Sequence, residues 1–580
     1  MENEQLLLEK LESSSWSPGE AQDKVLTEIL GKNATTVYFN RHGLRAATKE
    51  VFRQRAPVIE YEDIKDEINR IADGEASTLL CANPITDMFT SSGTSGGAHK
   101  LFPKAEGHYA VSNYFFDLAT ALLNRYSDLP GLRTGKALYF LYVRSGRKTP
   151  GGLPAYPALT GYYNSLEFRN RPFDPSNDYT SPMEVILCTD SVQASYCHLL
   201  CGLIHARDVT KLGCFFASAL VRSIRCLEAW WQELSRDIRT GTLSERVVDP
   251  ACREAVEKIL RPDPELANVI DEACSSGSLK GIVRKLWPSA KAIDTVVTGA
   301  MEQYVGEVDY LTGGLPIASM IYASSESFFG VNLKPLCEPS QISYMFLPET
   351  SYYEFLPVAR SEEKVSRKEP VELVDVEQGH EYELVITTNA GLYRYRMGDV
   401  LRVEGFHNKA PLFSFVCRRN VLLSIDSDKT DEKELQTAVM NAFAALRNGV
   451  TSKEGEAIRL TDYTSYADLS SNPPHYVIYW ELSSELHLEP EKAGECCYKM
   501  EESLSVVYHR GRMERSIGAL ELRLVTPGTF NRIADDAASR GGSVAQFKLP
   551  RCVKKNATRM LEIVESGVYQ QYFSPRAPKY

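Results

Sequence analysis

No window of the chain approaches the roughly 20 consecutive apolar residues that a membrane-spanning helix requires, so no membrane association is expected. The amino terminus, MENEQLLLEKLESSSWSPGE, is acidic and its apolar run covers only Leu6–Leu8, which lacks the charged start and long apolar stretch of a secretory signal. A basic stripe is also missing. With a formal net charge of -11, the chain does not offer the clustered Lys and Arg that nucleic-acid binding demands. The 13 cysteines are odd in number and scattered from Cys81 to Cys552, many in apolar contexts such as LGCFF and YCHLLCGL. They read as buried thiols of a reducing compartment, which leads to the expectation of a cytoplasmic protein. The adjacent Cys496 and Cys497 lack zinc-ligand spacing and recruit no second pair. Neither G-x-x-x-x-G-K-[ST] nor G-x-G-x-x-G occurs as a nucleotide fingerprint, and no Ser-His-Asp or Cys-His arrangement stands out. Internal repeats and long low-complexity tracts are absent as well.

What the chain does contain is enough length for a large core and a further unit, at 580 residues. KALYFLYV, EVILC, KLGCFFAS, AIDTVVTG and IASMIYASSE read as short buried strands. VSNYFFDLATALLNRY and SIRCLEAWWQELSRDIRTG carry helical spacing, so the fold expected is α/β, with sheets covered by helices. From about Ile342 the texture shifts to close-set strands, ISYMFLP, YYEFLPV, EYELVITT, VLRVEGF and LFSFVC, which predicts an antiparallel sheet or barrel-like subdomain. The polar SIDSDKTDEKEL interrupts this pattern. After it, a helix near DEKELQTAVMNAFAAL, strands HYVIYWEL and ALELRLVT, a helix within 489–508 and a short final helical part make a small α+β domain. The expected boundaries are 1–425 and 426–580, with a hinge near Ser424–Thr430.

One short stretch concentrates chemistry: FTSSGTSGGAHKLFP, residues 89–103. Glycines at 93, 96 and 97 would let backbone N–H groups turn toward an anion. Ser91, Ser92, Thr94 and Ser95 add hydroxyls and Lys100 a positive charge, a set that suits a polyphosphate; an ordinary Ser/Gly turn is the bland alternative. In MIYASSESFFG, residues 320–330, an apolar strand ends in small residues and one carboxylate, Glu326. That acid could hold Mg2+ beside phosphate oxygens, or merely stabilise a helix start. GLYRYRMGDV, residues 391–400, puts Asp399 after a strand and a glycine, where it could accept both ribose hydroxyls or simply cap a turn.

The order of these three stretches resembles the ANL adenylate-forming superfamily. Their wording, SSGTSGG..K, YASSE and YRYRMGD, with TPGGLPA, YCHLLCGL, VVTGAMEQYV, FHNKAPLFSFVCRRNVLLSIDSDKT and AQFKLPRCV, is similar to the Gretchen Hagen family of plant acyl-acid amido synthetases over essentially the whole chain. The resemblance implies a monomeric enzyme that uses ATP and Mg2+ to convert a small carboxylic acid into an acyl-adenylate, then passes the acyl group to a free amino acid's amine. By the same resemblance Ser91, Ser92, Thr94, Ser95 and Lys100 would meet phosphate, Val297, Thr298, Gly299 and Tyr322, Ala323, Ser324, Ser325 would line the adenine pocket, and Asp399 would hold ribose. Glu326 would bind the metal, Lys548 would be the mobile-domain lysine that reaches the phosphate, and Arg418 would belong to the hinge. Ala119, Arg125, Tyr156, Phe216, Leu336 and Tyr344 match family positions of the acid pocket, although core packing is the alternative for each aromatic. Ala119 stands where several family members carry an arginine, and Tyr156 where auxin-type members do. Lys429 would help select an acidic amino acid, or be a solvated lysine. The wording lies nearer the auxin and benzoate branches than the jasmonate branch, which favours indole-3-acetic acid with aspartate or glutamate. Jasmonate, a benzoate, salicylate or chorismate-pathway acid, coenzyme A as acceptor, and a catalytically silent nucleotide- or hormone-binding protein are the alternatives.

Overall fold

The structure is a computed structural model that describes residues 2–95, 98–125, 129, 132–175, 178–358, 369–418, 421–425, 428, 430–447, 458–540, 547–553 and 557–578. Side chains are described at these positions except 2, 3, 92–95, 98, 99, 300, 303, 421 and 422. The chain separates into two compact units, Met1–Phe415 and Val416–Tyr580.

In the first unit, five parallel strands run in the order Asp178–Tyr179, Lys136–Tyr139, Val209–Phe216, Ala292–Val296 and Ile317–Ala318. VTKLGCFF is buried along most of its length because helices flank the sheet, so it reads as a continuous apolar run rather than an alternation. Helix Ser191–Ile204 is buried nearly all round, and Asp190 caps it by accepting from the amides of Val192 and Gln193. The strand of this sheet that comes first in the sequence, Lys136–Tyr139, lies between two later ones. The strand order therefore reverses beside it, and ligands of such sheets bind off the carboxyl ends of the strands near that point.

A second sheet has eight strands in the order Ile321–Ala323, Phe328–Asn332, Tyr344–Phe346, Ala410–Arg418, Tyr395–His407, Glu381–Thr387, Tyr352–Pro357 and Val371–Glu372. Antiparallel registers such as Tyr344 opposite Phe413 and Tyr352 opposite Thr387 match the alternation expected after Ile342. A four-stranded sheet begins with the hairpin Ile85–Ser95 and Ala98–Ala105. The serine- and glycine-rich stretch thus lies on paired strands, with Gly96 and Gly97 outside the described residues. Its register is broken: four steps from Thr90 to Thr94 are matched by two from Leu101 to His99, an irregularity of the bulge kind.

The second unit holds four strands, Leu460–Asp468, His475–Leu482, Glu521–Val525 and Val568–Phe573, in that order. Helices Glu432–Arg447 and Pro490–Glu502 join Trp480 and Leu522 in one apolar cluster, while Phe530, Ile533 and Val564 pack with Val477 and Tyr479 in another. Covered on both faces, HYVIYWEL is buried at every position. Ser424–Thr430, expected as the hinge, lies inside this unit between the paired strands Val421–Leu423 and Thr430–Asp431.

Two expectations are corrected. EVILC does not form a strand: Met183–Ile186 is a helical turn started by Pro182. The final helix Thr558–Glu565 is followed by an edge strand, Val568–Phe573, that was not expected because VYQQYF carries little apolar alternation.

Candidate functional site

The parallel sheet delivers the first part of the site. Phe216 ends its strand in register with Val296, and the chain runs from there into Val297, Thr298 and Gly299. Val297 is buried and its amide donates to Ser319 Oγ at 3.4 Å, while Thr298 Oγ1 and Tyr344 Oη are 3.3 Å apart. Gly299 has φ of 60°, and a Cβ there would meet the Phe415 ring at 3.0 Å, so both conformation and space call for glycine.

The antiparallel sheet supplies the second part. The Tyr322 hydroxyl donates to Asp399 Oδ2 at 2.6 Å, joining two residues 77 positions apart that the sequence assigned to one nucleotide pocket. Tyr322's ring lies 5.7 Å from Tyr344 and 6.3 Å from Phe415 between centroids, so the 297–299 loop, Tyr322 and Asp399 share one aromatic surround. Tyr344 itself is 1% exposed and shares its hydroxyl with Ser319 at 3.0 Å, which places it beside the adenine-pocket candidates in the core.

Earlier in the same YRYRMGD stretch stands Arg394, whose φ of 47° is left-handed and disfavoured for a side chain with Cβ. A buried two-pronged pair with Glu354, both contacts at 2.9 Å, holds it there, together with donations to the carbonyls of Arg53 at 2.6 Å and Ala56 at 3.0 Å.

Glu326 sits just past Tyr322 and Ala323. Ser324 N donates to Ser327 O at 2.8 Å and Glu326 N to Ser324 Oγ at 3.1 Å, which closes the SSES turn and fixes the acid's backbone; Ser325 lies half-buried in it. The Glu326 carboxylate is buried and accepts no hydrogen bond among the described residues. A buried, unengaged hard-oxygen donor of this kind fits Mg2+, which takes one or two carboxylates and completes its shell with water and phosphate oxygens. Lys104 Nζ donates to the Glu326 carbonyl at 2.7 Å. Burial pushes that ammonium down to about 8, with Glu326's charge acting the other way.

Of the hairpin residues, Ser91 is half-buried and Lys100 stands 4.8 Å from the centroid of Tyr61, whose hydroxyl receives the Leu101 amide at 2.9 Å. The side chains of Ser92, Thr94 and Ser95, and all of Lys429, lie outside the described residues.

The acid-pocket candidates divide. Ala119, on helix His108–Asn124, joins one apolar cluster with Phe115 and Leu118, against which Leu336 and Phe328 pack. Phe116 stacks on Tyr162 at 4.9 Å. Phe216 meets Phe215 edge-on at 4.9 Å. Arg125 is the exposed cap at the helix's far end, where its charge acts on Glu12 of the first helix. Tyr156 donates to Asp87 and lies 3.2 Å from the Tyr109 hydroxyl. Sequence reasoning missed Asp87, Lys104, His108 and Tyr109. The one available signal was the lysine in LFPKA, an inward parity on an apolar strand. His108 is held down to about 4 by burial and by Lys104; Nδ1 lies 2.9 Å from the Ala105 carbonyl, which makes it the protonated nitrogen.

In the second unit, Lys548 is exposed while its neighbours are tied down: Leu549 is in the core, Thr464 Oγ1 donates to Pro550 O at 2.6 Å, and Arg551 Nη1 donates to Asp462 at 2.6 Å. Arg418, also exposed, ends its strand. No helix among the described residues is long and apolar enough to cross a membrane, and no group of three or more His, Cys, Asp or Glu side chains among them could hold a metal.

A parallel sheet with a switch point, an antiparallel sheet and a separate α+β unit define an adenylate-forming ligase fold. A solved 2-hydroxyisobutyryl-CoA ligase in the postadenylation state shares it, with a TM-score of 0.50 at 13% identity over 95% of this chain and 94% of that one. Closer relatives narrow the class. The GH3 family N-terminal domain matches residues 7–317, the GH3 family central domain 344–418 and the GH3 family C-terminal domain 433–557. The chain is 49% identical over 589 residues to the indole-3-acetic acid-amido synthetase GH3.6 of Arabidopsis thaliana, covering 99% of this chain and 94% of that protein. It is 50% identical over 564 residues to GH3.3 of the same name and organism, covering 96% and 93%. The solved GH3.15 acyl acid amido synthetase has a TM-score of 0.90 at 42% identity, covering 98% of this chain and 97% of that one; it is also known in complex with 2,4-DB. The chain belongs to the GH3 family and is an amide-forming acid–amino acid ligase.

Proposed function

We propose that this ligase uses ATP and Mg2+ to adenylate a small aromatic acid, indole-3-acetic acid first, and transfers the acyl group to aspartate or glutamate, so lowering the level of the free acid. The observation that carries the reading is Glu326: a buried carboxylate with no hydrogen-bond partner among the described residues, on the turn that follows Tyr322 and its partner Asp399.

A carboxylate cannot be attacked by an amine directly because its leaving group would be oxide; exchange for AMP removes that obstacle. In the first half-reaction the acid's oxygen attacks the α-phosphorus of ATP and pyrophosphate leaves. Asp399 accepts the ribose hydroxyls, held in place by Tyr322. Val297–Gly299 and Tyr322–Ser325 flank the base, and Ser91, Ser92, Thr94, Ser95 and Lys100 offset the charge that builds on the phosphates. Mg2+ bound at Glu326 would supply Lewis-acid stabilisation to the phosphate oxygens. In the second half-reaction the amine attacks the acyl carbon, loses its proton, and AMP departs. The C-terminal domain expected from the sequence, 426–580, acts as a mobile lid that brings Lys548 to the phosphate, with Arg418 near its pivot and Lys429 favouring an acidic amino acid. No protein nucleophile is needed.

Support for the acid comes from the names of the relatives at 49% and 50% identity and from the aromatic character around Ala119, Leu336, Phe116 and Tyr162. The test is acid-dependent pyrophosphate release with Mg-ATP across indole-3-acetate, jasmonate, salicylate, benzoates and chorismate-pathway acids, with amino acids and coenzyme A compared as acceptors. Release with one acid class, lost in Glu326→Ala, and an amide product are expected. Silence from protein that binds ATP would replace this reading with a nucleotide-binding one.

A further inference from the structure

Lys104 is opposite Asp87 across the hairpin, both residues are buried, and yet the two charges do not pair. The Asp87 carboxylate accepts instead from the hydroxyls of Thr86, at 2.6 Å, and Tyr156. Lys104 reaches across 222 residues of sequence to the Glu326 carbonyl at 2.7 Å, and its nitrogen stands 4.9 Å from the Phe89 ring centroid. An ammonium has three donors. Among the described residues, one is used in a hydrogen bond and none in an ion pair. Burying a cation in this condition is costly, and nothing described in the chain repays it with an anion in contact.

The Glu326 carboxylate is the complementary half. Its charge is near enough to favour the protonated lysine, but the two form no ion pair. Two buried, opposite charges therefore face each other's neighbourhood with unfilled valences on both sides, one able to accept an anion and the other a cation. The walls around Lys104 are aromatic: Phe89 lies 5.2 Å from His108, 6.2 Å from Tyr109 and 6.4 Å from Tyr156 between ring centroids. The residues proposed to meet phosphate, from Ser91 onward and Lys100, lie between Asp87 and its partner Lys104 along the sequence of the same hairpin. His108, the other basic group on these walls, is neutral, so the positive charge here is that of Lys104.

We propose that Lys104 receives the carboxylate of the acyl acid and so makes the site select an aromatic carboxylate over its neutral counterparts; this rests on the ligase reading above. Lys104 then holds the anion next to the turn that carries Glu326, with the aromatic walls against the ring. It is a substrate-binding residue that the composition of the acid-pocket positions alone did not disclose.

The test uses full-length protein and calorimetric titration of indole-3-acetate and of its alcohol counterpart, indole-3-ethanol, into wild type, Lys104→Met and Lys104→Arg, with ATP titrated separately. A lost charge-assisted hydrogen bond corresponds to roughly 10- to 100-fold. The wild type should prefer the carboxylate by that factor, Lys104→Met should reduce the preference to under about 3-fold, and Lys104→Arg should restore part of it. Nucleotide affinity should stay within about 2-fold of wild type in both variants. A Lys104→Met protein that keeps the wild-type preference overturns the proposal. Equal loss of acid and nucleotide affinity also overturns it, because Lys104 would then only brace the Glu326 turn. Wild-type pyrophosphate release on the full acid panel is scored independently: its absence removes the ligase reading and this proposal with it, whereas its presence alongside an unchanged preference removes only the role of Lys104.

Discussion

Removing the Tyr322 hydroxyl should weaken ATP binding through Asp399 alone. The bond between them is 2.6 Å long and both side chains are buried, at 8% and 6% exposure. A hydrogen bond to a charged, desolvated carboxylate is worth about 1.5–3 kcal/mol. Part of that is retained in Tyr322→Phe if a ribose hydroxyl or water takes the vacated lone pair, which leaves an expected loss of about 1.4 kcal/mol, or roughly tenfold in ATP affinity. Asp399→Ala removes the acceptor itself and should cost about 100-fold. The informative variant is the double one. Because the hydroxyl acts by orienting the carboxylate, it has nothing to orient once Asp399 is gone, and the double variant should bind ATP within about 2-fold of Asp399→Ala. Calorimetric titration of ATP into the four proteins gives a coupling of about 1–1.5 kcal/mol on this reasoning. Additive losses would refute it, since Tyr322 would then be reaching the nucleotide independently of Asp399. Wild-type affinity in Asp399→Ala would refute the ribose assignment altogether.

Four further outcomes are expected. Glu326→Gln keeps the turn's backbone bonds but removes the charge, so acid-dependent pyrophosphate release should fall by at least about 100-fold while the melting temperature holds. Gly299→Ala forces a Cβ into a left-handed backbone position 3.0 Å from the Phe415 ring, and should cost about 1–2 kcal/mol of stability, read by denaturant titration of the first unit, with a raised KM for ATP. His198, fully buried with Nδ1 2.7 Å from Ser181 Oγ and Nε2 2.7 Å from the Leu141 carbonyl, is held down to about 4 by burial. The unfolded chain takes up a proton as pH falls below about 6.5 and the folded chain does not, so about 3 kcal/mol of stability should be lost between there and about pH 4, and His198→Gln should flatten that slope in acid-unfolding curves. Lys104, held down to about 8 by burial, acts in the same sense at higher pH: the unfolded chain keeps this proton between about 8 and 10.5 and the folded chain does not, so its share of the stability should rise with pH there, and Lys104→Met should remove that share in pH-dependent denaturant titrations while Lys211, also held down to about 8, keeps its own.

The candidate residues can be picked out of the sequence before any coordinates. Glu326 follows an apolar strand on a turn of small residues, as expected, whereas Asp399, expected after a strand, lies inside the strand Tyr395–His407, because the pairing that extends this strand across the glycine is not visible in the local wording. The strands after Ile342 alternate clearly enough to announce an antiparallel sheet. What could not be read depends on pairing across the chain. Lys104 becomes notable only because Asp87 stands opposite and turns away, and because Glu326 arrives from 222 residues downstream. Tyr344 was assigned to the acid pocket on its position, but register with Phe413 and bonds to Ser319 and Thr298 bury it beside Tyr322. EVILC misleads because a run this short has no period that distinguishes a strand from a helical turn, and Pro182 decides for the turn. Arg125 lies one residue past a helix whose last turn ends at Asn124, so its direction follows from where the helix stops, a boundary that spacing fixes poorly.

Arg394 imposes an unusual rule on sequence drift. Its backbone asks for glycine or asparagine, whereas its fork on Glu354 and the carbonyls of Arg53 and Ala56 asks for a planar guanidinium. No amino acid meets both demands, and arginine meets the second at the expense of the first. Glycine would relax the chain and strand the Glu354 charge, while lysine would keep the charge and lose the two-pronged grip without easing the backbone. In a saturation library this position should therefore reject its chemically nearest and its conformationally nearest replacements alike, and revertants should arise in pairs with Glu354 rather than singly.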